Sequence, residues 1–154
     1  MATQTSESPV QTLNIVKEIS IDAPLDVVWD SILEEMGPAN IGGGGSPMPM
    51  KLEPWPGGRW FRDLENNTGH LWGHIQVIKP PKLLEICGPL FMSYPAANHL
   101  QYRLTDNGGS TNLKLTHRAV GLIDPEHAKG VQDGWGEIIS NIQKKAAKRA
   151  QQRG

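Results

Sequence analysis

Five histidines, a single cysteine and five tryptophans are the residues of this chain with the most chemistry to offer. Metal binding needs nitrogen, sulfur or carboxylate donors that converge on one ion. His70 and His74 stand four apart, a chelating spacing on a helix. Their surroundings read as a strand, however, where four residues span about 13 Å. His99 has the opposite strand parity from Tyr102, and His127 opens the last helical pattern. No metal site and no cofactor are therefore expected. Cys87, the only cysteine, excludes an intrachain disulfide and a multi-cysteine zinc site. It shares parity with Leu83 and Glu85, and nothing near it in sequence would lower its pKa. No Gly-x-Ser-x-Gly elbow is present, so nucleophilic catalysis has little to work with.

His117 is the sharper candidate. Leu113, Leu115 and His117 share one strand face, and Leu100, Tyr102 and Leu104 share one face of the preceding strand. A neutral imidazole on an apolar face serves as a general base, as a ligand's hydrogen-bond partner, or as a core polar group satisfied by its neighbours. All three readings stay open. With Tyr102 across the hairpin, His117 would form the acid–base pair of a cofactor-free cyclase or hydratase.

These residues need elements to hold them. Asn14 to Ile21 alternates as a half-buried strand, with Lys17 breaking the pattern. Val28, Trp29, Ile32, Leu33 and Met36 switch to helical spacing, with Pro24 at the first turn and a stop at Gly37-Pro38. Ile41 to Met50 holds four consecutive glycines. No Gly-Lys-Ser/Thr follows them, so a phosphate cradle fails on context and Gly42 to Gly45 reads as a loop or cavity lid. Short extended segments then run to Arg118. Turns interrupt them at Pro54 to Gly58, Asn66 to Gly69 and, most clearly, Asp106-Asn-Gly-Gly109. The facing of Trp60 and Trp72 stays open because a bulge inverts parity, and Trp55 is expected to pack over a strand end.

The last pattern is the longest. Val131, Trp135, Ile138, Ile142 and Ala146, widened by Ile139, recur at steps of three and four, behind an Asp124 N-cap and Pro125. Gly130, Gly134 and Gly136 each cost about 1 kcal/mol against alanine in such a helix. Close approach or ligand room would explain them. The basic run from Lys144 to Arg153 reads as a solvated helix end that offsets the carbonyl dipole.

At 154 residues the chain fits one domain, able to bury about 70% of its unfolded surface. Residues 1–12 read as a flexible arm, 13–150 as the domain and 151–154 as a tail. Fifteen basic against sixteen acidic residues mark no nucleic-acid binder. No apolar run approaches the ~18 residues of a membrane span, and the polar N-terminus lacks a signal-peptide core. A reducing, cytoplasmic setting fits the lone cysteine.

Several stretches together resemble the SRPBCC superfamily, the START-related helix-grip fold, and within it the AHSA-type proteins named for an activator of a heat-shock chaperone's ATPase. They are Ile21-Asp-Ala-Pro24 with Val28-Trp29, Glu53-Pro-Trp-Pro-Gly-Gly-Arg59, Gly73-His-Ile75 leading to Pro80 through Leu83, Thr111 through His117, and Gly134-Trp135. The resemblance implies an α+β helix-grip: a seven-stranded curved antiparallel sheet wrapped around a long C-terminal helix, with a short helix after the first strand and a hydrophobic cavity between sheet and helix. The expected function is binding of a small hydrophobic or amphipathic molecule. Ile75, Leu100, Tyr102, Leu113, Leu115 and Trp135 would line the pocket, and His117 would be its main polar contact. A chaperone-activator-like interaction with a protein partner and the cyclase- or hydratase-type enzyme are the alternatives.

Overall fold

A computed structural model describes residues 9–42 and 45–153. Strand β1 (Gln11–Ile21) is followed by helix α1 (Leu25–Met36). Strands β2 (Lys51–Leu52), β3 (Arg59–Asp63), β4 (Gly69–Lys79), β5 (Leu83–Gly88), β6 (Ala96–Asn107) and β7 (Ser110–Gly121) come next, and helix α2 (Pro125–Arg153) closes the chain. All seven strands form one antiparallel sheet in the order β1-β7-β6-β5-β4-β3-β2. This is the α+β helix-grip. β1 begins at Gln11, inside the stretch expected as an arm, and α2 runs on through residues 151–153, which were expected as a tail. Among the described residues, no helix is long and apolar enough to cross a membrane.

The hairpin between β6 and β7 sets the register that matters. Asn107 pairs with Ser110 around Gly108 and Gly109, whose φ values of 68° and 96° are the left-handed pair a two-residue turn requires. Glycine adopts them without a Cβ penalty. With that turn fixed, Leu100 lies opposite His117, Tyr102 opposite Leu115, and Leu104 opposite Leu113. All six face inward and are buried. β1 adds Ile15 opposite His117 on the other side of β7, and β5 adds Leu84 and Ile86.

The cover is α2. Val131, Trp135, Ile139, Ile142 and Ala146 are buried at steps of four, four, three and four, one stripe on a 3.6-residue period. Asp124 caps the helix, its Oδ1 accepting from the Glu126 amide at 3.0 Å. α1 enters through Pro24 with no side-chain cap, so the proline is the residue before the helix rather than in its first turn. It buries Val27, Val28, Trp29, Ile32 and Met36. Each such side chain is worth about 1.5–3 kcal/mol when fully removed from water.

The end of α2 is not simply solvated. Lys145, Arg149 and Arg153, at i, i+4 and i+8, reach across to Glu35, Glu34 and Asp26 of α1. Ion pairing between the two helices, rather than the dipole alone, accounts for this basic stripe. Trp55 is also unlike the expectation. It stands 54% exposed in the turn before β3.

Candidate functional site

A cavity of about 380 Å³ opens between the N-terminal half of α2, the end of α1 with the loop after it, and the part of the sheet that carries Trp60, Trp72 and Tyr102. Three groups of residues build it. α2 presents His127, Gly130, Val131, Gly134, Trp135 and Ile138. These are the i, i+3, i+4 positions of the helix face that looks toward the loop after α1. From α1 and that loop come Glu35, Met36, Asn40, Ile41, Gly42 and Met48. The sheet and the β5–β6 connection contribute Trp60, Trp72, Phe91 and Tyr102.

The glycines of α2 acquire a reason here. A Cβ built on Gly130, Gly134 or Gly136 would meet no atom within 4 Å. No backbone presses on them, so close approach does not explain them. Gly130 and Gly134 instead border the cavity, and their missing side chains are part of its space.

The wall is aromatic and is assembled edge to face. Trp60 and Trp72 meet at 4.9 Å between ring centroids, and Trp72 meets Phe91 at 5.6 Å. Phe91 in turn stands edge-on to His127 at 5.8 Å, and its contact with Trp135 at 6.2 Å is tilted at 57° rather than edge to face. Such T-shaped pairs contribute about 0.5–1.5 kcal/mol beyond their buried area. The register shift at Trp60/Phe61 leaves Trp72 as the extra, unpaired residue of β4, on the same side as Trp60. The indole N–H of Trp60 donates to Met36 O at 2.8 Å and ties β3 to the end of α1.

Polar groups are few, and most are spoken for. His127 Nδ1 is 2.6 Å from the Tyr94 hydroxyl, and Asn40 Nδ2 donates to Met48 O. Glu35, 1% exposed, accepts from Lys145 Nζ at 2.7 Å and from Asn141 Nδ2 at 3.3 Å. Tyr102 differs from all of these. It is fully buried, and among the described residues its hydroxyl finds no hydrogen-bond partner. Burial, with the Glu35 carboxylate nearby, pushes its pKa well above the usual tyrosine range.

Of the seven residues the sequence nominated, Tyr102 and Trp135 are on the cavity wall. Ile75, Leu100, Leu113, Leu115 and His117 belong to the core under and beside it, each no more than 2% exposed. Sheet parity brought them to the right face, but α2 packs directly on that part of the sheet. The cavity lies further along, beside Trp60 of β3, Trp72 of β4 and the β5–β6 connection. His117 is therefore not the polar contact of the pocket. Its Nε2 donates to Asn98 Oδ1 at 2.6 Å, and its Nδ1 accepts from Trp135 Nε1 at 2.9 Å. Burial lowers its pKa to about 4, which keeps the ring neutral. Of the glycine loop, Gly42 borders the cavity, while residues 43 and 44 lie outside the described residues.

Sequence reading passed over Glu35 and Phe91. Glu35 carried a signal, since it is seven residues after Val28 and three after Ile32, inside the apolar stripe of α1. Phe91 carried none. It sits in the β5–β6 connection, turned inward beside Leu90, whose φ of 52° is unusual for a branched residue. The Leu90 amide donates to Trp72 O at 2.7 Å, which holds that turn in place.

Among the described residues, no group of three or more His, Cys, Asp or Glu side chains is placed to hold a metal ion. Cys87 is half-buried against Gln76, and burial raises its pKa.

A family model described as Activator of Hsp90 ATPase homolog 1-like protein matches residues 22–147, from the end of β1 to the last turns of α2. The chain belongs to this family. Several solved structures resemble it in fold. CalU16 from Micromonospora echinospora superposes with a TM-score of 0.60 at 22% identity, over 91% of this chain and 83% of that one. An uncharacterised protein from Rhizobium leguminosarum gives 0.67 at 18% identity, over 91% and 97%. DynU16, described as a protein in the dynemicin biosynthetic locus, gives 0.58 at 14% identity over 85% of this chain, which spans 46% of it. At such identities the likeness establishes the helix-grip and leaves function to the site. No curated protein sequence gives a significant match. Membership in the Activator of Hsp90 ATPase homolog 1-like family thus fixes the architecture within which the cavity must be read.

Proposed function

We propose that this protein binds a small hydrophobic or amphipathic molecule in the cavity between the sheet and α2. The observation that carries the reading is the conjunction of an aromatic wall with space left by helix glycines. Trp60, Trp72, Phe91 and Trp135 surround about 380 Å³ bordered by Gly130 and Gly134. A pocket of this size, mostly apolar with a few polar groups, has the make-up of a small-molecule site. Helix glycines with open space where a Cβ would stand cost stability, and Gly130 and Gly134 are accounted for when a ligand occupies that space.

The reading favours binding over acid–base catalysis because both nitrogens of His117 are engaged inside the core. A proton shuttle needs a nitrogen that reaches a substrate.

Titration with N-phenyl-1-naphthylamine, a neutral apolar fluorophore, tests the proposal. Saturable one-to-one binding that quenches tryptophan emission is expected, with loss of binding in Gly134→Leu. Absence of saturable binding in the wild-type protein would sink it.

A further inference from the structure

Resting on the binding function just proposed, we infer that the cavity contains a polar subsite, formed by the Tyr102 hydroxyl and the Glu35 carboxylate, that selects a neutral ligand bearing an alcohol or phenol hydroxyl. The argument begins with an incomplete hydrogen-bond inventory. Buried hydroxyls almost always have partners, because an unpaired one costs about 1–3 kcal/mol. Tyr102 is fully buried and lines the cavity from β6, and among the described residues its hydroxyl has none. A tyrosine kept in that state is explained by a partner that arrives with the ligand.

Glu35 determines what that partner is. It lines the same cavity from α1. Its carboxylate receives one bond from Lys145 and one from Asn141. A carboxylate has about four acceptor positions, so capacity remains. Tyr102 thus offers an unused donor and Glu35 an unused acceptor. A ligand hydroxyl answers both, accepting from tyrosine and donating to glutamate. A ketone or ether answers only the first. An ammonium group answers only the second and competes with Lys145. A carboxylate group answers only the first, and it brings negative charge beside Glu35 into a wall where Glu35 is the only Asp, Glu, Lys or Arg side chain.

Four probes with one ring system separate the possibilities. They are naphthalene, 2-naphthol, 2-methoxynaphthalene and 2-naphthoate, titrated against the full chain by tryptophan fluorescence and calorimetry. The subsite predicts that 2-naphthol binds about tenfold or more tighter than the other three, and that Tyr102→Phe reduces it to the level of naphthalene. Equal affinity for 2-naphthol and naphthalene in the wild-type protein overturns the subsite and leaves the binding function standing. Equal affinity for 2-naphthol and 2-methoxynaphthalene overturns the acceptor role assigned to Glu35. Tightest binding by 2-naphthoate overturns the preference for a neutral ligand. If none of the four binds, the cavity function and the subsite fall together. The decisive comparisons are made on the wild-type protein, so they hold even if the variant folds poorly.

Discussion

The indole N–H of Trp135 donates to Nδ1 of His117 at 2.9 Å, and this bond fixes the tautomer of a buried ring. Because Nδ1 accepts, the ring proton is on Nε2, where it is donated to Asn98 Oδ1 at 2.6 Å. Asn98 passes the chain on through Nδ2 to Pro89 O at 3.2 Å. One relay thus joins α2, β7, β6 and the connection that carries Phe91. The histidine that looked most like a catalyst links the cavity's helix to its aromatic wall.

That relay makes stability depend on pH. The imidazole titrates near 4 when folded, against 6.5 ordinarily. Between those values the unfolded chain binds a proton that the folded chain refuses, so stability rises with pH across the window. The contribution is fully present above 6.5 and is lost as pH falls toward about 4, reaching about 3 kcal/mol. Protonation would also put a donor against the Trp135 N–H. His117→Gln retains one donor and one acceptor but does not titrate. It should be less stable than wild type near pH 7 yet show a shallower decline on acidification, read by urea denaturation at a series of pH values. Parallel declines in the two proteins would mean that His117 is not the group responsible.

Tyr102→Phe tests a second buried polar group. The variant removes only a hydroxyl without a partner, so it should leave stability unchanged or raise it by about 1 kcal/mol. Thermal unfolding without ligand gives the answer. A loss of more than 1 kcal/mol would mean that the hydroxyl is hydrogen-bonded in solution.

How far the sequence foretold this molecule depends on the length scale. Parity around Gly108 and Gly109 correctly turned Leu100, Tyr102, Leu104, Leu113, Leu115 and His117 inward, because strand periodicity and turn chemistry are local. Whether an inward residue meets α2 or open space depends on where the helix crosses the sheet, which no local pattern encodes. Trp60 and Trp72 were ambiguous for a related reason, since the shift at Trp60/Phe61 is visible only in the paired strands. Glu35 was readable as a charge in an apolar stripe. Its partner Lys145, 110 positions away, was hidden in a run of basic residues.

Lys145→Met addresses that pair. Glu35 is 1% exposed on its side chain and Lys145 35%, so removing the lysine leaves a buried carboxylate with Asn141 as its remaining partner. A cost of about 1–3 kcal/mol is expected, below that of a fully buried pair because water reaches the lysine end. The double variant Glu35→Leu with Lys145→Met should be less destabilised than the sum of the single changes. Denaturant titrations of the four proteins measure the coupling, and strict additivity would show that the pair contributes nothing.

The three glycines of α2 provide the most discriminating comparison, since all of them can take a methyl group without a clash. Replacing any of them with alanine should raise helix stability by up to about 1 kcal/mol. Gly130 and Gly134 border the cavity and Gly136 does not. Gly136→Ala should therefore stabilise the protein and leave ligand affinity alone, whereas Gly134→Ala should stabilise it and weaken binding. Gly134→Leu extends the comparison by filling the space beside Trp135. It should reduce affinity more than tenfold, while Ala147→Leu, on the half of α2 away from the cavity, should not. Fluorescence titration with N-phenyl-1-naphthylamine alongside thermal unfolding separates the two effects. Equal binding losses for Gly134→Leu and Ala147→Leu would mean that the N-terminal half of the helix does not shape the ligand site.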